Sequence, residues 1–446
     1  MRNTLTICSV LVFVFYMILP AYAVDHQLGG DLRFRAFTAG DWSGDKNKTD
    51  NERALADSRA HFKYAAKINE DLAVYTKFRI DSDWGANDDP GRSGSSFAKL
   101  RLMVSYIDFN LGETNIKIGK HDFFEARGNL AYDSAPGISI TSPFSDQFTL
   151  NAKWIKFGEG GSGNIHNDLD TFAVTPTIKL TENISIKPYF WYVTSSNVSK
   201  AQRTWEWQFI EKTDGNEYDI NKFSEMDMYY LGFDFDANLG DVSVWFTGLY
   251  QAGSANLGEP LKNDMDYGSV DFSGIAALGG GSLNIGKITL SGQLFYASGD
   301  SDLYDDKYEQ FIPAEAGYYY WSEIMGLGSN DDSIPNNLNW ALNNIMGGGG
   351  TASFCATEEM TVKFGLWYAA AVEDFIGNNT NKLVEAADYG TEVNAIVNYS
   401  LMENLSLSFI GAYVMAGDAM TEENVEGENI NGADPYFIQA QIKTSF

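Results

Sequence analysis

Segments in which apolar and polar side chains alternate with a period of two recur along this chain, divided by connections of two lengths. The alternation is that of a strand with one apolar and one polar face. Ala60, Phe62, Tyr64, Ala66 and Ile68 oppose Arg59, His61, Lys63 and Lys67. Val74, Thr76, Phe78 and Ile80 oppose Tyr75, Lys77, Arg79 and Asp81, and Leu405, Leu407, Phe409, Gly411 and Tyr413 repeat the theme. Short turns at 69–71, 110–114, 181–183, 238–241, 285–286 and 402–404 each join two such segments. Long polar stretches at 38–53, 82–96, 198–224 and 418–434 separate the pairs. Short turns at one end and long loops at the other, joining strands of about ten residues or more, describe a transmembrane antiparallel β-barrel.

Sixteen strands are easily seen, but they break the rule that every short turn lies at the same end. A strand near 135–141 turning at 142–144 into 147–157 restores the parity, together with one near 340–354 turning at 356–358 into 360–372. The expectation is therefore an all-β fold of eighteen strands, with sixteen as the alternative, having short periplasmic turns, long extracellular loops and both termini at the periplasmic end. On the strand near Lys99, Leu100, Leu102, Val104 and Tyr106 are expected to share the apolar face. The longest loop, 300–339, carries Tyr318-Tyr319-Tyr320-Trp321. It is expected to cap the mouth or enter the lumen, with its aromatics packed on other loops.

Arg2, the apolar run 10–19 and Ala21-Tyr22-Ala23 read as a signal peptide, cut after Ala23. Residues 24–446 then form one domain, since no linker or shift in composition divides them. That mature chain keeps Cys355 alone, so it has no intrachain disulfide and no cysteine cluster. No mature stretch approaches the ~18 apolar residues of a membrane helix. The formal net charge is −29, and −30 once Arg2 is removed, which argues against nucleic acid as a partner.

Basic residues are distributed unevenly: 18 of the 30 mature lysines and arginines precede Gly158. Arg33, Arg35, Arg59, Lys63, Lys77, Arg79, Lys99, Arg101, Lys117 and Lys153 fall on polar faces, where neighbouring strands would stack them into a basic wall inside the barrel. Such a wall would concentrate anions, unless Asp31, Asp57 and Asp81 merely neutralise it. The acidic loops, 418–434 above all, are solvated surface or hold divalent cations against lipopolysaccharide. His26, His61, His121 and His166 are scattered, and the glycine runs 158–163, 279–281 and 347–350 lack the Lys-Ser/Thr of a phosphate loop. Those runs read as loops or kinks. Only His121 with Asp122, or His166 with Asp168, offers even the start of a hydrolase set. No catalysis and no cofactor is expected.

The last twelve residues, PYFIQAQIKTSF, alternate in the same way and end on Phe446. A terminal aromatic of this kind resembles the sorting signal read by the barrel assembly machinery of Gram-negative outer membranes. The stretches Ile116–Asp122 (IKIGKHD), Tyr318–Met325 (YYYWSEIM), Gly390–Val393 (GTEV), Gly411–Tyr413 and Ala416–Asp418 resemble outer-membrane porins, particularly the alginate-export-like group and porins of sulfur- and metal-reducing bacteria. The resemblance implies an eighteen-stranded barrel in outer-membrane lipid and a passive, water-filled pore for ions or small polar solutes. In the exporter it implies a basic lumen that passes an anionic polysaccharide. A barrel sheath around a multihaem cytochrome is a third expectation, and a homo-oligomer is compatible with all three.

Overall fold

The computed structural model describes residues 24–41, 53–84, 98–160, 168–198, 223–257, 268–302, 305–315, 319–326, 328, 342–376, 383–384, 388–420 and 433–446. The proposed signal peptide, the acidic stretch 421–432 and His166 lie outside these residues. Alternating segments become strands β1 (Asp25–Gly40), β2 (Arg53–Asn69), β3 (Leu72–Asp83), β4 (Ala98–Leu111), β5 (Thr114–Glu125), β6 (Ala131–Ser145) and β7 (Phe148–Gly158). Next comes β8 (Leu169–Val174, resuming as Thr177–Lys179 after Pro176, which has no N–H for the ladder). The order continues with β9 (Ile184–Ser195), β10 (Phe223–Leu239), β11 (Val242–Leu257), β12 (Ser269–Ile285), β13 (Ile288–Ala297) and β14 (Ile345–Cys355). The last four are β15 (Met360–Ala370), β16 (Asp388–Met402), β17 (Leu405–Ala416) and β18 (Tyr436–Ser445).

Each strand pairs antiparallel with the next, and β18 pairs with β1 from Asp31↔Ser445 to Gly40↔Tyr436. The result is a closed barrel of 18 strands. Closure leaves no unpaired strand edge, as lipid requires, because backbone groups there have no water to bond. The two strands demanded by turn parity are β6 and β14. Strand β6 continues past Pro143 through a register shift, so its turn lies at Asp146-Gln147 rather than at 142–144. Gly279–Gly281 and Gly347–Gly350 are ladder residues within β12 and β14, not loops.

One expectation about faces fails. Lys77 pairs with Val104 and Phe78 with Leu102, leaving Met103 as an extra residue on β4. A bulge of one residue reverses which side chains point inward. Leu100 and Leu102 face lipid, whereas Val104 is buried and shares the inner face with Tyr106, which stacks on Tyr75 at 5.1 Å. Elsewhere the alternation holds around the ring. Leu294 is 72% exposed and its neighbour Phe295 only 4%. Lipid-side aromatics cluster near both ends: Phe144 with Phe148 by the short turns, and Phe172, Tyr192 and Tyr229 toward the loops.

Candidate functional site

The inner faces of β1 to β4 carry the charge. The register sets Arg33 beside Arg59, Arg59 beside Asp81, and Arg79 beside Arg101. Asp57 receives Arg35 at 2.7 Å and Arg33 at 3.5 Å. Asp81 takes Nε of Arg59 at 2.6 Å, and Nε of Arg79 lies 2.6 Å from its other oxygen. Among the described residues, Lys77, Lys99 and Arg101 form no ion pair. Nearer the short turns, Asp31 gathers His61 at 3.0 Å, Lys443 at 3.9 Å and Lys63 at 4.0 Å. A recess of about 240 Å³ in the loop-side half is lined by Arg33, Arg59, Arg79, Lys99 and Arg101, with Arg53 at its rim. Among the described residues Asp57, Asp81 and Asp83 are the carboxylates lining it, so cations outnumber anions in that lining.

Two of the ten basic residues singled out in the sequence stand apart. Lys117 lies 4.0 Å from Asp108 and over the ring of Tyr106. Lys153 is buried in an ion pair with Glu125, which also takes Lys187 at 2.5 Å. Its charge is spent within the wall. His121 donates Nδ1–H to the Gly119 carbonyl at 2.9 Å and accepts from Ser139 Oγ at 2.8 Å, so no His121–Asp122 pair forms.

The connection between β5 and β6 turns into the lumen. Ala126 and Arg127 hold φ of 50° and 57°, a left-handed backbone that costs non-glycine residues about 1–3 kcal/mol and persists only where surroundings fix it. They are fixed by contacts far along the wall. The Ala126 N–H donates to Tyr189 Oη at 3.2 Å, and Arg127 reaches Asp236 at 2.7 Å and Thr247 Oγ1 at 3.1 Å. The Arg127 guanidinium also lies 4.5 Å from the ring centre of Trp245. This bridge from β5 to β10 and β11 has no counterpart in the sequence pattern. Only the brevity of the connection, on the long-loop side, could have hinted at it.

A second inward connection meets the first. The chain between β13 and β14 enters the lumen, where the Glu315 N–H donates to the Leu130 carbonyl at 3.2 Å. Phe311 and Ile312 are fully buried, and the Ile312 N–H donates to Gln251 Oε1 at 2.7 Å. Gly274 gives Phe311 its seat: a Cβ there would lie 2.7 Å from the Phe311 Cα. Further on, Glu392 of β16, with no exposure, accepts the N–H groups of Glu323, Ile324 and Met325 at 2.8, 3.0 and 2.9 Å. Asn394 donates to the same carboxylate at 2.8 Å.

The aromatics of this connection pack on the inner wall and not on other loops, contrary to expectation. Trp321 lies 4.7 Å from Phe295 and 6.0 Å from Trp367. Burial keeps the Tyr319 hydroxyl well above its ordinary pKa, so it stays protonated and donates to Gln293 Oε1 at 2.7 Å. The wall pulls the aromatics in because strand residues with free polar and ring groups await them there. The motifs YYYWSEIM and GTEV, separate in the sequence, therefore meet as one clamp.

Phe446 ends β18 at the short-turn rim. Its N–H donates to the Gly30 carbonyl at 3.1 Å, its carbonyl accepts from the Gly30 N–H at 2.8 Å, and its ring meets Phe62 edge-on at 6.5 Å. It thus lies at the seam where the barrel closes.

No protein-family model matches the chain, and no curated protein matches it in sequence. Solved structures do resemble it. The outer membrane protein OpdK of Pseudomonas aeruginosa is 10% identical, over 95% of this chain and 98% of that one, with a TM-score of 0.55. OccK8 (OprE) of the same organism is 9% identical over 95% and 98%, with a TM-score of 0.57. A BenF-like porin of Pseudomonas fluorescens is 13% identical over 95% and 99%, with a TM-score of 0.56. The likeness is to these porins in general and does not single out the alginate-export-like group. At such identities it is a likeness of architecture, and the chain has the fold of a Gram-negative outer-membrane porin.

Proposed function

We propose that the protein is a passive, water-filled outer-membrane pore for ions and small polar solutes, and that it prefers anions. One observation carries the preference: on β1 to β4 the guanidinium and ammonium groups outnumber the carboxylates around the loop-side recess. A charged surface inside a low-dielectric shell focuses its field and raises the local concentration of counter-ions. The overall negative charge does not oppose this. Charges outside the lumen are screened within about 8 Å at physiological salt. OpdK has been crystallised with vanillate, a small carboxylate. A small carboxylate is the kind of anion we expect this wall to favour. The inward connections favour small solutes over a polymer, because they fill part of the cross-section with apolar side chains.

The test is the reversal potential of single pores in planar bilayers under a salt gradient. Anion selectivity is expected from the unmodified protein. Selectivity for cations would overturn the preference and leave a general porin.

A further inference from the structure

Opposite the charged wall, in the short-turn half of the lumen, the inward connection closes a second recess. It holds about 280 Å³ and is lined by Trp245, Gln293, Ser291, Tyr320, Trp321 and Lys363. Ser282 and Thr351 add hydroxyl groups at its edge. The clamp on Glu392 sets this geometry, since it fixes the backbone just after Tyr320 and Trp321. Gly280 contributes by lacking a side chain: a Cβ there would lie 2.6 Å from the Trp245 ring, so only glycine lets that indole lie against the wall. Tyr320 is 46% exposed although flanked by buried tryptophan, and its hydroxyl donates to the Glu323 carboxylate at 2.5 Å. Lys363 Nζ lies 5.8 Å from the centre of the Tyr320 ring and forms no ion pair among the described residues. The Gln293 amide oxygen is taken by Tyr319, which leaves its NH₂ as a donor.

We infer that this recess is a subsite for a sugar ring in the pyranose form. A pyranose has an apolar C–H face and a rim of hydroxyls, and the recess pairs aromatic rings with a surrounding set of short hydroxyl, amide and ammonium groups. A flat aromatic acid would need apolar contact on both faces and a paired cationic fork for its carboxylate. Here rings come from β11 (Trp245), β15 (Trp367) and the inward connection, hydroxyls of Ser282, Ser291 and Thr351 lie between them, and the single lining cation is a lysine, which offers no fork. The volume suits no more than one ring, falling just below the roughly 300–1,000 Å³ of pockets for larger ligands. The subsite does not depend on the anion preference, because it uses neither the arginines of β1 to β4 nor their aspartates.

The test uses the full barrel in planar bilayers, with glucose, glucuronate or 4-hydroxybenzoate added on the short-turn side. Glucose and glucuronate are expected to interrupt the current with measurable residence times, whereas 4-hydroxybenzoate is expected to give none that depend on this recess. Tyr320→Ala should shorten the residence of both sugars at least fivefold, and Tyr320→Phe should leave them within twofold. Lys363→Met should shorten glucuronate residence more than that of glucose. Should Tyr320→Ala fail to fold, Ser291→Val reads the same subsite from the strand and should shorten both. Sugar residence unchanged in Ser291→Val and in any folded Tyr320→Ala barrel overturns the inference. So does 4-hydroxybenzoate residing as long as glucose and losing that residence in either variant. The reversal potential of the unmodified pore, measured alongside, reports separately on the anion preference.

Discussion

The wall formed by β1 to β4 and the wall formed by β7 to β16 solve the problem of an inner surface in opposite ways. The first is charged, with Arg33, Arg59 and Arg79 held by Asp57 and Asp81 in largely buried pairs while Lys99 and Arg101 stay exposed. The second is roofed by the connections that follow β5 and β13, and Trp191, Tyr230, Phe311 and Ile312 are buried between wall and roof. Apolar burial of that kind stabilises by about 25 cal/mol per Å² removed from water, whereas buried ion pairs lose much of their Coulomb gain to desolvation. The packed side therefore holds shape. The inner surface of one closed sheet can be part protein core and part channel.

The largest expected effect comes from unroofing the packed side. Replacing Glu392 with alanine leaves three buried N–H groups without an acceptor, and each buried donor left unsatisfied costs about 1–3 kcal/mol. The inward connection should leave the wall, raising single-channel conductance about twofold or more and exposing 319–326 to protease. Unchanged conductance would mean that apolar packing alone holds the roof, and the contrast between the walls would be sharper than drawn here.

Next is the charged side. Changing Arg59, Arg79 and Arg101 together to glutamine removes both cations from Asp81 and a third from the recess, while Asp57 keeps Arg33 and Arg35. The reversal potential should then move toward cations, more at 0.1 M salt than at 1 M, where charges are screened within about 3 Å. Barrel yield and heat-modifiable mobility should be unchanged. A loss of folded barrel would show that this wall too is structural and would break the comparison.

The seam gives a smaller effect in the folded state and a larger one in assembly. Deleting Phe446 removes two backbone hydrogen bonds to Gly30, each worth about 1 kcal/mol, and one ring contact with Phe62. Melting of the folded barrel should change little. If the terminal aromatic is also an assembly signal, as its resemblance implies, recovery from the outer membrane should fall far more than melting does. Equal effects on both would leave Phe446 as a seam residue only. Smallest of all, a tag at 181–183 should be hidden on intact cells, and labelling there would reverse the orientation of both walls.

Much of the frame was legible in the sequence because a barrel wall is built on two-residue parity, and parity survives without knowledge of contacts. The rule that short turns share one end located β6 and β14 before any coordinates. It failed at Met103, where a single extra residue leaves no mark on composition. The positions of Arg33, Arg59, Arg79 and Arg101 followed from alternation with lipid-facing neighbours. What no local pattern could supply was the chemistry between distant segments. Arg127 looked like any loop arginine until its guanidinium lay over Trp245. Glu392 looked like one polar residue on an alternating strand until three N–H groups converged on it. Such pairings depend on which loops turn inward, and the sequence holds that only as long-range complementarity.

The clamp on Glu392 also sets an order of events. Its donors precede it by 67 to 69 positions in the chain, and β14 and β15 lie between. The part of the connection before residue 316 can seat on Gln251 and Leu130 as soon as those are in place, but 323–325 must wait until β16 has joined the sheet. One connection is thus fixed in two stages, its first half early and its second half only when the ring is nearly closed.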